Sequence, residues 1–367
     1  MILKQNLNKN RKILFIIIIL LTIFGLIILN TYANETDEVY LVSIKGTIDL
    51  GLSSYVQRAL EEAVLNKVKA VILEIDTFGG RVDAATQIRD KIMSLNIPSV
   101  AYVKNRAWSA GALIALSAEY IIIDKSASIG AAEPRPADEK NISALRAEFT
   151  STALSRGRSE DIAAAMVDKD VEIKNIIEKD KILTLNAEQA IKLNFADGNA
   201  SSIEEVLNFL NLKDAKIVYI YPNWAENISR FVTNPVVSPL LLSIGFLGLI
   251  IEFWTLGWGI AGSIGIISLS LFFGGHIIVG LAGFETIILF VIGLLLLLVE
   301  IFFIPGFGLA GIGGIAAILA SIFLTFGNIT QATYSILIAL GLSIAGFFLL
   351  IRFIPSTRAW RKFILST

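Results

Sequence analysis

The apolar and polar positions of the chain follow two different patterns. Between Glu35 and about Arg230, short apolar runs alternate with amphipathic segments, and charged residues are frequent. Beyond Arg230, long apolar runs follow one another and charges nearly vanish until Arg352, with three glutamates as the exceptions. Alternating short runs are typical of a sheet covered by helices, whereas long uncharged runs are typical of membrane spans.

The first part carries the signals of alternating strands and helices. Short runs rich in β-branched residues predict buried strands at Val39–Ile44, Ala70–Ile75, Ser99–Val103 and Tyr120–Asp124. Amphipathic stretches predict helices at Tyr55–Leu65, Val82–Leu95, Ser109–Ser117, Glu139–Ser155, Arg158–Val167, Ala187–Leu193 and Ile203–Leu210. Repeated strand–helix units favour a parallel sheet with covering helices, so we expect an α/β fold.

The second part predicts an all-α membrane domain. Its apolar runs lie at roughly 236–254, 258–281, 285–304, 306–327 and 332–354, which we interpret as about five transmembrane helices. An odd number of spans from an external start places the C-terminus in the cytoplasm. Four basic residues lie there, as the positive-inside rule requires: Arg352, Arg358, Arg361 and Lys362. A re-entrant pair around Pro305 is the alternative.

The N-terminus begins with basic residues, after which comes the apolar run Ile13–Leu29. That run predicts either a signal peptide or a first transmembrane anchor, and in both cases export of the domain after it. We therefore divide the chain into this N-terminal segment at 1–35, an extracytoplasmic domain at 36–230, a membrane domain at 231–356 and a short basic cytoplasmic tail at 357–367.

Composition narrows the chemistry. Of the residues, 54% are hydrophobic and only 17% are charged, which agrees with a membrane protein. The net charge of −1 gives no basic surface for a nucleic-acid partner. Cysteine is absent and the single histidine, His276, lies in an apolar run, so we expect no disulfide, no thiol nucleophile, no histidine-rich metal site and no cofactor.

Candidate chemistry lies in two small-residue motifs. Ser109 lies in the motif Trp-Ser-Ala-Gly at the start of a predicted helix, and Gly79-Gly80 forms a predicted turn after the strand Ala70–Ile75. In a parallel sheet, both motifs lie at the carboxyl ends of their strands, where α/β proteins bind ligands. With no neighbouring histidine to act as its base, a nucleophilic Ser109 indicates a serine–lysine hydrolase. The alternative is a buried serine at a helix start.

A lysine base is harder to choose, because the first part contains many lysines. Lys140 opens a helix whose apolar face includes Leu145 and Phe149, and it comes after the loop Glu133–Glu139. From that position its side chain could fold over a cleft. The alternative interpretation is that Lys140, like any single lysine, is a solvated surface charge.

Three segments carry a family resemblance: IDTFGGRVDAA, SAGALIALSAEYIIIDKSASIGA and the helix that ends in SRGR. Across residues 39–215 they resemble the membrane-bound NfeD serine peptidases of the ClpP/crotonase superfamily, and the apolar tail is similar to the long form of that family. Phe78 stands where the family has proline. Many members carry an OB-like domain after the membrane spans, which we expect to be absent here.

This resemblance implies peptide hydrolysis in a ClpP/crotonase-like fold. Lys140, in the position of the family's general base, would take the proton of Ser109. The backbone amides of Gly80 and Ala110 would form the oxyanion hole.

The resemblance also implies how substrate and partners bind. A peptide or membrane-protein substrate, such as a stomatin- or flotillin-type partner, would lie extended along Gly79, Arg81 and Val82. Self-association into a dimer or larger homo-oligomer is expected. Two alternatives stay open: a non-proteolytic membrane scaffold for such partners, and a signal-peptide-peptidase-like enzyme.

Overall fold

A computed structural model of the protein describes Thr22 and residues 37–255, 259–303, 308–326 and 329–353. The predicted signal peptide or anchor at 1–35 lies outside the described residues except for Thr22. The predicted cytoplasmic tail at 357–367 lies outside them entirely. Both remain predictions.

Within the described part of the chain, eight strands form one sheet: β1 (Glu38–Ile48), β2 (Ala70–Gly80), β3 (Ser99–Trp108), β4 (Tyr120–Ile123), β5 (Ser128–Gly130), β6 (Thr184–Asn186), β7 (Gly198–Asn199) and β8 (Lys216–Ile220). Their order is β6-β5-β3-β2-β1-β8, and β4 pairs with both β3 and β7. All pairings are parallel except β5 with β6. The predicted α/β fold is confirmed, and the short edge strands β6, β7 and β8 were not predicted.

Eight helices accompany this sheet: α1 (Leu50–Leu65), α2 (Val82–Met93), α3 (Ala110–Ser117), α4 (Glu139–Ser155), α5 (Glu160–Ala165), α6 (Ala187–Lys192), α7 (Ile203–Phe209) and α8 (Trp224–Val232). Alternate residues of β2 enter two different cores because successive strand side chains point to opposite faces. Val71, Leu73 and Ile75 pack into the larger core with α1 to α4, and Ile72 packs into the smaller one with α7. The larger core therefore holds the strand ends that carry the candidate site.

The Gly79-Gly80 pair differs from its prediction as a turn. Both glycines belong to β2, where they pair with Thr47 and Ile48 of β1 after a local register shift. The strand therefore continues to the point at which α2 begins. The prediction missed this because glycine pairs usually interrupt strands.

The second part of the chain consists of long apolar helices: α9 (Val237–Thr255), α10 (Ile260–Ile278), α11 (Phe284–Phe303), α12 (Leu309–Phe326) and α13 (Ile329–Phe353). Among the described residues, four helices are long and apolar enough to cross a membrane, namely α10 to α13. Helix α9 adds a fifth only when it is taken together with α8, to which it is bent by 81°. The prediction of about five spans therefore matches the upper count. Pro305 lies outside the described residues.

The membrane helices include two hairpins of the same design, α9–α10 and α11–α12. In each, a glutamate near the end of the first helix accepts hydrogen bonds from two glycine amides at the start of the second. The pairs are Glu252 with Gly259 (2.8 Å) and Gly262 (3.1 Å), and Glu300 with Gly308 and Gly311 (3.1 Å). The first amides of a helix lack intrahelical partners, so each carboxylate satisfies groups that lipid could not.

Candidate active site

Ser109 occupies the junction between β3 and α3 in an unusual backbone conformation. Its φ is 54° and its ψ is −123°, a region that L-residues seldom adopt. Its N–H donates a hydrogen bond of 2.8 Å to the carbonyl oxygen of Gly130 in β5, so the junction is fixed from the neighbouring strand. A strained serine at a strand-to-helix junction is the arrangement of a nucleophile elbow.

Gly79 lies directly against this serine. Its φ is 107°, and a Cβ at this position would lie 2.5 Å from Ser109 Cβ and 3.0 Å from its Oγ. Thr77 holds the glycine, because its Oγ1 accepts the Gly79 N–H (2.9 Å) and donates to the Gly46 carbonyl oxygen (2.6 Å). A Cβ at Gly111 would in turn lie 2.4 Å from Thr77 Cγ2. The two sequence motifs therefore interlock, and each glycine makes room for the other motif.

Two backbone amides are available beside Ser109. Ala110 is the first residue of α3, so its N–H has no intrahelical acceptor. Arg81 donates its N–H to the Ile48 carbonyl oxygen (2.8 Å) at the β1 side of β2. Gly80 lies at the end of β2 and lines the same cavity as Ser109, so its N–H is the second candidate donor. The arrangement is suited to the stabilisation of an oxyanion.

A cavity of about 1100 Å³ opens over the serine. Five predicted site residues line its sheet side: Gly80, Arg81, Val82, Ser109 and Ala110. The opposite side consists of the segment 133–136 and one face of α4. The sixth predicted residue, Gly79, does not line the cavity but packs directly against Ser109. The structure thus brings together six of the seven predicted residues.

Lys140 is the seventh, and the structure does not bring it to the serine. It lies on the first turn of α4 with its side chain exposed, while its neighbour Asn141 lines the cavity. In the described part of the chain, no hydrogen bond joins Lys140 to Ser109. The described lining residues include neither a lysine nor a histidine.

Sequence reasoning missed the ion pairs around the cavity. Arg81 donates to both carboxylate oxygens of Asp83 (3.0 and 2.7 Å) and also to Gln331 Oε1 (2.8 Å). Burial opposes ionisation of Asp83, but the hydrogen bond and charge of Arg81 hold the pKa of this carboxyl below its ordinary value. Across the cavity, Arg89 of α2 pairs with Glu148 of α4. No sequence signal identified the Arg89–Glu148 pair or the contact with Gln331, because the tertiary fold brings these partners together.

Phe78, for which the resemblance predicts proline, makes contacts of its own. Its ring is 67% exposed and makes an edge contact with Trp108 at 5.5 Å between centroids. The guanidinium of Arg106 lies 4.5 Å from the ring centre. This aromatic contact joins the end of β2 to the end of β3, immediately before the serine.

Comparisons with known proteins agree with the resemblance. The NfeD1b N-terminal domain family matches residues 38–220, and the NfeD integral membrane domain family matches residues 236–353. Membrane protein NfeD1b of Bacillus subtilis (strain 168) is 39% identical over 95% of this chain and 81% of its own length. Membrane-bound protease PH1510 of Pyrococcus horikoshii is 29% identical over 84% of this chain and 74% of its own length.

Two solved structures are similar to about half of this chain. The 1510-N membrane-bound stomatin-specific protease, as a serine-to-alanine mutant, is 27% identical and covers 52% of this chain with a TM-score of 0.46. All of that solved chain is matched. A lysine-to-alanine mutant in complex with a substrate peptide is 26% identical, with a TM-score of 0.47 over 54% of this chain and 99% of its own. The matches to the family and to its relatives show that this chain belongs to the NfeD family of membrane proteins.

Proposed function

We propose that this protein is a membrane-bound serine endopeptidase in which Ser109 is the nucleophile. The observation that carries the proposal is the strained serine, held against Gly79 in a cavity that Gly80 and Ala110 also line. Similarity to a membrane-bound protease supports it. Such a site is preorganised for the charge that develops during acyl transfer.

In the proposed reaction, Ser109 Oγ attacks a peptide carbonyl carbon while Lys140 takes its proton. The amides of Gly80 and Ala110 bind the oxyanion until the C–N bond breaks and the Lys140 ammonium protonates the leaving amine. Water, deprotonated by Lys140, then hydrolyses the acyl-enzyme and regenerates the serine. Because Lys140 lies outside the cavity in this structure, this role requires the first turn of α4 to move toward Ser109 when substrate binds.

The proposed substrate is a membrane-associated protein of the stomatin or flotillin type. A solved relative is described as stomatin-specific and another is bound to a substrate peptide. The substrate would lie extended beside Gly79, Arg81 and Val82, adding a strand at the cavity. We further propose that the α/β domain is extracytoplasmic, that the C-terminus is cytoplasmic and that the chain forms homo-oligomers.

A second candidate is a non-proteolytic scaffold that binds the same partners without cutting them. The observation in its favour is that the described lining of the cavity contains no lysine and no histidine. Without a base, the serine would stay a weak nucleophile, and the cavity would act only as a peptide-binding site.

The test uses the full chain in nanodiscs with fluorogenic peptides from the membrane-proximal region of a stomatin homologue. We expect Ser109→Ala to abolish cleavage and Lys140→Ala to reduce it by about 10²–10⁴-fold, the usual contribution of general-base catalysis. The exposed Lys174 provides the matched control, Lys174→Ala, which should cleave like the wild type.

Three outcomes separate the alternatives. Full activity of Lys140→Ala with an inactive Ser109→Ala would keep the nucleophile and reject the base. Equal activity of all variants would reject the peptidase site. Peptide binding without cleavage by the wild type would establish the scaffold.

A further inference from the structure

Helix α8 exposes an apolar stripe on the outside of the α/β domain. Trp224, Ile228 and Phe231 are spaced four and three residues apart, so they lie on one face of the helix, with exposed fractions of 77%, 40% and 65%. Tyr221 before the helix and Val236 after it are each 70% exposed. These five side chains, which we call the α8 stripe, carry no charge. Contiguous exposed apolar side chains of this kind mark an interaction surface.

The opposite face of α8 is bound firmly to the α/β domain. Glu226 is buried and accepts two hydrogen bonds from Arg58 of α1, at 2.6 and 2.9 Å. Its carboxylate also accepts the N–H of Asn223, which completes a capping box at the start of the helix. Arg230 adds a hydrogen bond to Asp49 (3.1 Å). The stripe is therefore presented by a helix whose orientation is fixed.

Contacts with the membrane helices place α8 at the end of a candidate span. Val232 packs on Gly275, in the last turn of α10, so closely that a Cβ on this glycine would lie 2.0 Å from Val232 Cγ2. After a short break, α8 continues into α9 at a bend of 81°. Because α9 packs along the candidate span α10, a helix bent by 81° from α9 near the end of α10 would run along the plane of a bilayer surface.

Contacts at the carboxyl edge of the sheet also place this edge near the ends of the membrane helices. Asp49, the partner of Arg230, directly follows β1. Arg81, which directly follows β2, donates to Gln331 in the first turn of α13. The carboxyl ends of β1 and β2 therefore face helices α8 and α13, and the cavity opens at the same edge of the sheet.

We propose that α8 is a membrane-surface helix whose exposed stripe inserts into the bilayer at the boundary between headgroups and acyl chains. A fixed helix with one uncharged aromatic and aliphatic face, nearly perpendicular to the apolar helix α9 that follows it, is suited to that location. The occupant of the α8 stripe is thus lipid. Through the Arg58–Glu226 pair, α8 holds the α/β domain with its cavity close to the bilayer surface. This inference does not depend on peptide hydrolysis.

Trp224 supplies a fluorescent probe of this location. The full chain and its Trp224→Phe variant are reconstituted in phosphatidylcholine–phosphatidylglycerol nanodiscs, and the difference between their spectra gives the Trp224 emission. We expect this emission to be quenched by lipids brominated near the headgroup more than by lipids brominated at the chain end. Aqueous iodide should quench it weakly.

A second reporter controls for general access of the quenchers. Leu65 is 78% exposed and precedes β2, at the amino edge of the sheet. In the Trp224→Phe background, Leu65→Trp should add emission that iodide quenches and bromolipids do not.

Iodide quenching of Trp224 without bromolipid quenching would overturn the proposal. Protection of Trp224 from both quenchers, with a smaller oligomer formed by Trp224→Ser, would also overturn it and assign the stripe to a second copy of the chain.

Discussion

The two sides of the cavity are built in different ways. On the sheet side, the Thr77 hydroxyl is hydrogen-bonded to the backbone of Gly79 and Gly46, and the contact between Gly79 and Ser109 leaves no room for a further carbon atom. On the α4 side, Ala144 is exposed and Asn141 bonds only to Asp138 and to the Pro136 carbonyl oxygen. The sheet side is thus fixed before any ligand arrives. On the α4 side, Asn141 and Ala144 are held by few contacts, although Glu148 further along the helix pairs with Arg89.

This difference separates two requirements of acyl transfer. Oxyanion stabilisation depends on donors that need not reorganise during the reaction, and the rigid sheet side suits it. Proton transfer requires only that a base comes within hydrogen-bond reach of the serine in the substrate complex. We therefore expect substitutions on the sheet side to have large effects on catalysis and most substitutions on the α4 side to have small ones.

The largest effect is expected for Gly79→Ala. The new methyl group would collide with Ser109, and the positive φ of 107° adds backbone strain. Overpacking of this kind costs about 1–3 kcal/mol of the free energy of unfolding. Displacement of the nucleophile should lower kcat/KM about 10²-fold. Thermal unfolding and peptide cleavage measure the two effects.

Gly46→Ala is the matched control, because Gly46 has a φ of 75° and no atom within 4 Å of its added Cβ. It shares the backbone strain of the first variant but not the collision. If both variants lost cleavage equally, strain alone would explain the loss, and the contact between Gly79 and Ser109 would have no catalytic importance.

A smaller effect is expected for Thr77→Val, which keeps the shape of the side chain but removes its hydroxyl. The Gly79 N–H and the Gly46 carbonyl oxygen would each lose a partner, at a cost of about 1–3 kcal/mol in stability. We expect kcat/KM to fall about tenfold, equivalent to ~1.4 kcal/mol.

Thr150→Val tests the other side of the comparison. Thr150 lies on α4 and donates to the Ala147 carbonyl oxygen in an exposed hydrogen bond. Its loss should change stability by less than about 0.5 kcal/mol and leave cleavage unaltered. Equal losses in the two variants would remove the distinction between a rigid and an adaptable side.

The same distinction explains what could be predicted from the sequence. The arrangement of Ser109 against its neighbouring glycines could be predicted because it depends on local backbone conformation, which short motifs specify. The position of Lys140 depends on which face α4 turns inward. Leu145 and Phe149 are buried, and four residues earlier on this stripe lies Asn141, so Lys140 is rotated away by one residue.

Other parts of the fold could not be predicted from local sequence patterns. Strands β6 and β7, with three and two residues, are too short to show an alternating period. The prediction of the apolar runs succeeded because a membrane span needs only length and composition. The bend between α8 and α9 depends on how α8 packs on the α/β domain, which composition does not reveal.

Among the substitutions expected to change stability, the smallest effect concerns a charge beneath the sheet side. Glu74 of β2 is buried between Lys45 and Lys104 of the neighbouring strands. Burial raises the pKa of Glu74, but hydrogen bonds from the two lysines outweigh it and hold this pKa below the ordinary value of 4.5. A carboxyl whose pKa is lowered by folding stabilises the native state above its unfolded pKa. That contribution is lost as the pH falls through the folded pKa.

Glu74→Gln should therefore lower the free energy of unfolding at pH 7 by less than about 1 kcal/mol, since both lysines are half exposed and water screens the pairs. The difference from the wild type should shrink below pH 4.5, where the wild-type carboxyl becomes protonated. Chemical denaturation at several pH values measures this, with the exposed Glu172→Gln as a control that should show no difference. A pH-independent difference would mean that Glu74 acts through packing rather than charge. If Glu74→Gln also lost peptide cleavage, the ion pairs of Glu74 would contribute to the rigidity of the sheet side of the cavity.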